Sequence, residues 1–175
     1  KTRTTLMAAE QANTPITVVC PPVAAPVWHG EREKWGIRIA VETYTYEQIR
    51  RYGFAMPRYP TLVIDEGHYL RNMDAGRTEA VYGRLCSGLD GFATGAERVW
   101  VLSGTLIPNH AGELYPHLRS LLPHTIPNNL GRPMSYAEFS HRYLKTRPNP
   151  FARYGKPRVI GHRNISELKT RIAPY

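Results

Sequence analysis

Along the first half of the chain, short apolar runs alternate with stretches of helical spacing. Leu6, Met7, Ala8, Ala9 and Ala12 run through residues 3 to 12 without a breaker, which predicts a helix. Ile16 to Cys20 is a β-branched run halted by Pro21-Pro22, and it predicts a short buried strand. The same reading places a strand at Ile37 to Val41, a short helix from Tyr46 to Tyr52 and a strand at Thr61 to Ile64, with Asp65 where that strand ends. From Asp74 to Leu89 the spacing of Ala80, Val81, Leu85 and Leu89 predicts one helical face, and Val99 to Leu102 reads as a strand left through Gly104. Strands that alternate with helices predict an α/β fold with a mostly parallel sheet covered by helices on both faces.

Beyond His110 the pattern changes to helical pieces and loops. Glu113 to Leu122 is apolar on one side, Ser135 with Glu138 predicts a capped helix reaching Leu144, and Asn164, Ser166 and Glu167 open another that runs to Ile172. Lys145 to His162, rich in Pro, Gly, Arg and Lys, predicts a flexible stretch. A chain of 175 residues suffices for one α/β domain with a hydrophobic core, so one domain is expected, with residues 110 to 175 as a helical extension.

Charge narrows the partners. A formal net charge of +9 favours polyanions, because Lys and Arg that meet phosphates release condensed counterions. Nucleic acid and an anionic membrane surface both satisfy that condition. Cys20 and Cys86 stand far apart without a Cys-x-x-Cys spacing, so neither a disulfide framework nor a zinc site is signalled, and a reducing compartment is expected. His110 and His117 read as solvated helix positions rather than metal ligands. No apolar run approaches the length of a membrane span. The chain opens at Lys1 without a methionine and stops at Pro174-Tyr175, so it is expected to be cut at both ends.

The chemistry-bearing segment is Leu62-Val63-Ile64-Asp65-Glu66-Gly67-His68, an apolar strand that delivers adjacent carboxylates at its C-terminal end. Ligands of open α/β sheets bind at that edge. An Asp there can hold a hydrated Mg²⁺ beside nucleotide phosphates, and the neighbouring Glu can polarise an attacking water. Asp-Glu after a strand also occurs as a helix start or a solvated turn. Lys1-Thr2 opens a helix about sixty residues upstream, the separation of a phosphate loop from the magnesium strand in P-loop proteins. In that role Lys1 neutralises phosphate charge and the Thr2 hydroxyl joins Asp65 on Mg²⁺, although the glycines of such a loop precede its Lys and are not in this sequence.

Asp65-Glu66-Gly67-His68-Tyr69-Leu70-Arg71-Asn72 resembles the Asp-Glu-x-His box of superfamily 2 helicases, in the long form of the Swi/Snf-type DNA translocases. Leu102-Ser103-Gly104-Thr105 with Asn109 is similar to their third motif. Val18-Val19-Cys20-Pro21-Pro22 followed by Trp28, Glu31, Lys34 and Trp35 is similar to motif Ia and the helix behind it. Thr45-Tyr46-Glu47, Glu113-Leu114-Tyr115, Phe139, Arg142-Tyr143, and Asn164 with Glu167-Leu168 match the rest of the first lobe, as in the annealing-helicase-like branch and its phage and bacterial relatives. Leu106 and Pro108 depart from the pattern. The resemblance spans essentially the whole chain and implies an N-terminal RecA-like ATPase lobe that uses ATP and Mg²⁺ and acts on DNA, double-stranded above all, in the cytoplasm or the nucleus and not outside the cell.

It further implies that Lys1 and Thr2 bind phosphate and magnesium, that Asp65 and Glu66 bind magnesium and activate water, and that His68, Ser103 and Thr105 couple hydrolysis to a second RecA-like lobe. Without that lobe's arginine fingers the chain is expected to hydrolyse ATP hardly at all. Amides after Pro21 and Pro22 can hold a DNA phosphate, though the prolines end a strand in any case. The residues also admit plainer readings: Trp28 and Trp35 as packing residues, Ser103 and Thr105 as helix caps, His68 as a core histidine, and Lys145 to Arg163 as a solvated basic loop, with contact to DNA phosphates as the alternative for that last cluster. A strand-separating helicase, a restriction-system motor and a non-catalytic basic DNA-binding module are the rival functions.

Overall fold

A computed structural model of the chain describes residues 1–84, 90–105, 109–150 and 157–175. These divide into two compact units, Lys1–Leu106 and Ile107–Tyr175.

The first unit contains, in order, α1 (Thr2–Gln11), β1 (Ile16–Cys20), α2 (Ala25–Lys34), β2 (Val41–Thr45), α3 (Tyr46–Tyr52), β3 (Thr61–Asp65), α4 (Gly76–Tyr82) and β4 (Arg98–Leu102). Its sheet is wholly parallel, in the order β2-β1-β3-β4. β1 and β3 are buried along their full length, as parallel strands covered on both faces must be. On one face Ile16, Val18, Cys20 and Val63 pack with Leu6 and Ala9 of α1 and Trp28 of α2. On the other lie Val19, Ile64 and Tyr44, the last edge-on to Phe92 at 6.0 Å. α3 starts at a capping box in which Thr45 and Gln48 satisfy each other's backbone amides.

Two expected elements shift. The strand anticipated at Ile37 to Val41 begins only at Val41. The Arg38 and Ile39 amides donate instead to Glu10 Oε2 at 2.9 and 3.0 Å, so a side chain takes the place of a neighbouring strand. The helix anticipated from Asp74 to Leu89 is shorter: α4 runs from Gly76 to Tyr82 and ends at Gly83, whose φ of 79° leaves the helical region. The chain then returns over it, with Phe92 and Ala93 donating to Ala80 and Val81. A Cβ at Gly91 would lie 2.1 Å from Gly83 N, so only glycine fits there. Leu85 and Leu89 lie outside the described residues.

The second unit holds α5 (Tyr115–Leu121), α6 (Tyr136–Tyr143), β5 (Leu144–Arg147), β6 (Arg158–His162) and α7 (Ile165–Ile172). Tyr115, Phe139 and Tyr143 pack in a row of mutually tilted rings through its core, with Tyr115 donating to Met134 O at 2.9 Å. The capping box expected of Ser135 and Glu138 is present. The stretch expected to be a flexible loop instead supplies both strands of an antiparallel hairpin, β5 with β6. Its Pro and Gly punctuation concealed short charged strands at either end. His117 is buried, not solvated, and His110 is half-buried.

Candidate active site

In a parallel sheet every strand ends on the same edge, and here those ends bring Pro21, Tyr46, Asp65 with Glu66, and Ser103 to one side. Asp65, the last residue of β3, is only 6 % exposed, so its carboxylate needs partners. Its Oδ2 accepts from Trp28 Nε1 at 3.1 Å, its Oδ1 from the Glu66 amide at 3.0 Å, and its backbone carbonyl from the Tyr46 hydroxyl at 2.6 Å. Two elements beside β3 thereby fix the acid's position. Each carboxylate oxygen has two lone-pair directions, so both oxygens retain one for a further ligand.

Glu66 follows in the left-handed region, φ 53° and ψ 51°, which is unfavourable for a residue with a side chain. That turn separates its carboxylate from that of Asp65. Glu66 Oε1 meets Lys1 Nζ at 2.5 Å, and Oε2 lies 3.2 Å from His68 Nδ1. His68 Nδ1 is also 3.4 Å from Ser103 Oγ, which accepts the Thr105 amide at 3.2 Å. Lys1, Asp65, Glu66, His68, Ser103 and Thr105 therefore form one connected set. His68 is half-buried and turned to this set, not sealed in the core. Burial, reinforced by Asp65, pushes the Cys20 thiol up to about 12, so the sulfur under the site stays neutral.

Thr2 is the first residue of α1, half-buried and directly after Lys1. The first turn of α1 carries no acidic residue, and the amides and dipole of a helix N-terminus attract anions. A Mg²⁺ with a nucleotide fits this donor set: one anchored carboxylate, an ammonium at its neighbour Glu66, and a hydroxyl that follows that lysine at the start of α1. Among the described residues no group of three or more His, Cys, Asp or Glu could hold a metal ion. Pro21 and Pro22 begin an exposed turn, Pro22–Ala24, in which the Ala24 amide already donates to Pro21 O at 2.9 Å. Leu106 and Pro108 lie outside the described residues; Asn109 binds Glu113 through both its amide and its side chain.

Motif reading did not single out Trp28 and Tyr46 as partners of Asp65. The available signal was physical: a buried indole N–H or phenol needs a hydrogen-bond partner. Trp28 is fully buried, whereas Trp35 is 41 % exposed with the Arg3 guanidinium 3.6 Å from its ring. Tyr46 also stacks on Tyr69 at 5.5 Å, which ties α3 to the turn after Glu66.

No family model matches the chain. Over 111 residues, 63% of the chain, it is 29% identical to the SWI/SNF-related matrix-associated actin-dependent regulator of chromatin subfamily A-like protein 1 of Xenopus tropicalis. It is 28% identical to the Xenopus laevis protein of the same name. The match spans 10% of each of these relatives. Among solved structures, the Sulfolobus solfataricus SWI2/SNF2 ATPase core in complex with dsDNA covers 97% of the chain with 35% of its own, at a TM-score of 0.62 and 22% identity. That last likeness is one of fold. The sequence likeness is thus to SWI/SNF-related proteins, and the shared architecture is that of the SWI2/SNF2 ATPase core.

Proposed function

We propose that the chain is the ATP-binding and hydrolysing lobe of a DNA-dependent ATPase that translocates on or remodels double-stranded DNA. The observation that carries this reading is the meeting of Lys1 with Glu66 beside an Asp65 held from three sides. Lys1 is positioned to exchange the Glu66 carboxylate for phosphate oxygens, while the amides opening α1 receive the same anion. Glu66, thus released and about a third exposed, accepts the proton of the attacking water. Thr2 and Asp65 would hold Mg²⁺, which supplies charge neutralisation on the transferred phosphoryl group. His68, bridging Glu66 and Ser103, links the state of that carboxylate to the end of β4.

A second RecA-like lobe supplying arginine fingers belongs to this reading, as does DNA backbone at the Pro21-Pro22 turn. So does action in the cytoplasm or the nucleus. In the full-length protein, Glu66→Gln is expected to lower DNA-stimulated ATP hydrolysis at least about a hundredfold, in line with the usual worth of a general base. An unchanged rate would favour a non-catalytic DNA-binding module instead.

A further inference from the structure

The second unit carries a charge arrangement that the ATP site does not use. Between Glu138 and Glu167 the sequence contains no Asp or Glu, yet it holds Lys145, Arg147, Arg158 and Arg163. All four are exposed, and none has an acidic partner among the described residues. Arg147 stands directly opposite Arg158 across the antiparallel pair. Like charges so placed repel and weaken the pairing, so folding alone gives no reason for them. On β6, Arg158, Ile160 and His162 share the exposed face and border a groove of about 450 Å³ also lined by Asn109 and His110. The buried Nδ1 of His110 has no hydrogen-bond partner among the described residues.

We propose that the β5–β6 hairpin is a nucleic-acid contact of its own, in which Arg147 and Arg158, flanked by Lys145 and Arg163, hold backbone phosphates. The proposal rests on the DNA reading above and adds a contact remote in sequence from the Pro21-Pro22 turn. A phosphate between the two guanidiniums replaces their repulsion with charge-assisted hydrogen bonds, and the planar arginine fork suits phosphate oxygens. An anionic membrane is the weaker match. Interfacial segments insert an apolar face, and the described part of this hairpin exposes one large apolar side chain, Ile160.

The test uses fluorescence anisotropy of a labelled DNA duplex with the full-length protein over a series of salt concentrations. Arg147→Glu and Arg158→Glu are each expected to weaken binding about five- to tenfold and to reduce the slope of log affinity against log salt by about one. Arg147→Glu also sets a carboxylate opposite Arg158, so its melting temperature should hold or rise, which separates lost binding from lost folding. The charge-retaining pair Arg147→Lys with Arg158→Lys should keep the salt slope. Unchanged affinity and slope in both glutamate variants overturns the proposal and leaves the DNA reading intact. So does a loss confined to phosphatidylserine vesicles. A wild-type protein that binds no duplex overturns both.

Discussion

The indole of Trp28 has no solvent contact and gives its single donor to Asp65 Oδ2. Trp28→Phe keeps most of the ring packing and removes that donor, leaving a buried carboxylate oxygen short of one partner. The expected loss is about 1 to 3 kcal/mol, read from urea unfolding, together with weaker binding of magnesium-nucleotide. Stability equal to wild type would reduce Trp28 to a packing residue. Lys1, Asp65, Glu66, His68 and Ser103 were legible beforehand because their types recur at offsets the motifs prescribe. Trp28 and Tyr46 were not, because they reach Asp65 across 37 and 19 positions and no local pattern encodes such a meeting.

Elements were legible where a local rule governed them and obscure where a distant side chain intervened. The Ser135–Glu138 capping box is a purely local device, and it stands where the spacing put it. The displacement of β2 depends on Glu10, which no window around Ile37 contains. The hairpin escaped detection because its strands are short and carry charge instead of apolar alternation. α6 and α7 are joined at Glu167, which receives Arg142 at 2.7 Å, Arg171 at 2.8 Å and the Tyr143 hydroxyl at 3.3 Å. Partial desolvation raises this carboxyl, but the Arg142 hydrogen bond and charge, followed by Arg171, outweigh it and hold it below the usual range. A depressed carboxyl stabilises the fold above its unfolded pKa, and that contribution disappears as pH falls through the folded value. Thermal unfolding followed from neutral pH to below about 4 should therefore show acid destabilisation, and Glu167→Gln should flatten part of it. Parallel curves for the two proteins would show that Glu167 contributes nothing to the acid limb.

At the scale of the molecule, the change of pattern near His110 marked the passage from a sheet-based unit to a helical one, close to the division before Ile107. The separate core of the second unit, built on Tyr115, Phe139 and Tyr143, was not legible as such, since its aromatics are dispersed among polar residues. Within the sheet the strands are unequal. β1 lies between two neighbours and is fully buried; β4 has one neighbour among the described strands and half-exposed side chains. Local openings start where few contacts must be surrendered, so backbone amides of β4 should exchange with deuterium well before those of β1. Simultaneous exchange of both strands, followed by mass spectrometry, would contradict this. Since Ser103 follows β4 directly, fraying of this margin detaches it from His68 while Lys1 and the acid pair keep their places. The serine of the proposed coupling contact thus follows a margin of the described sheet, whereas the proposed catalytic acids follow an interior strand.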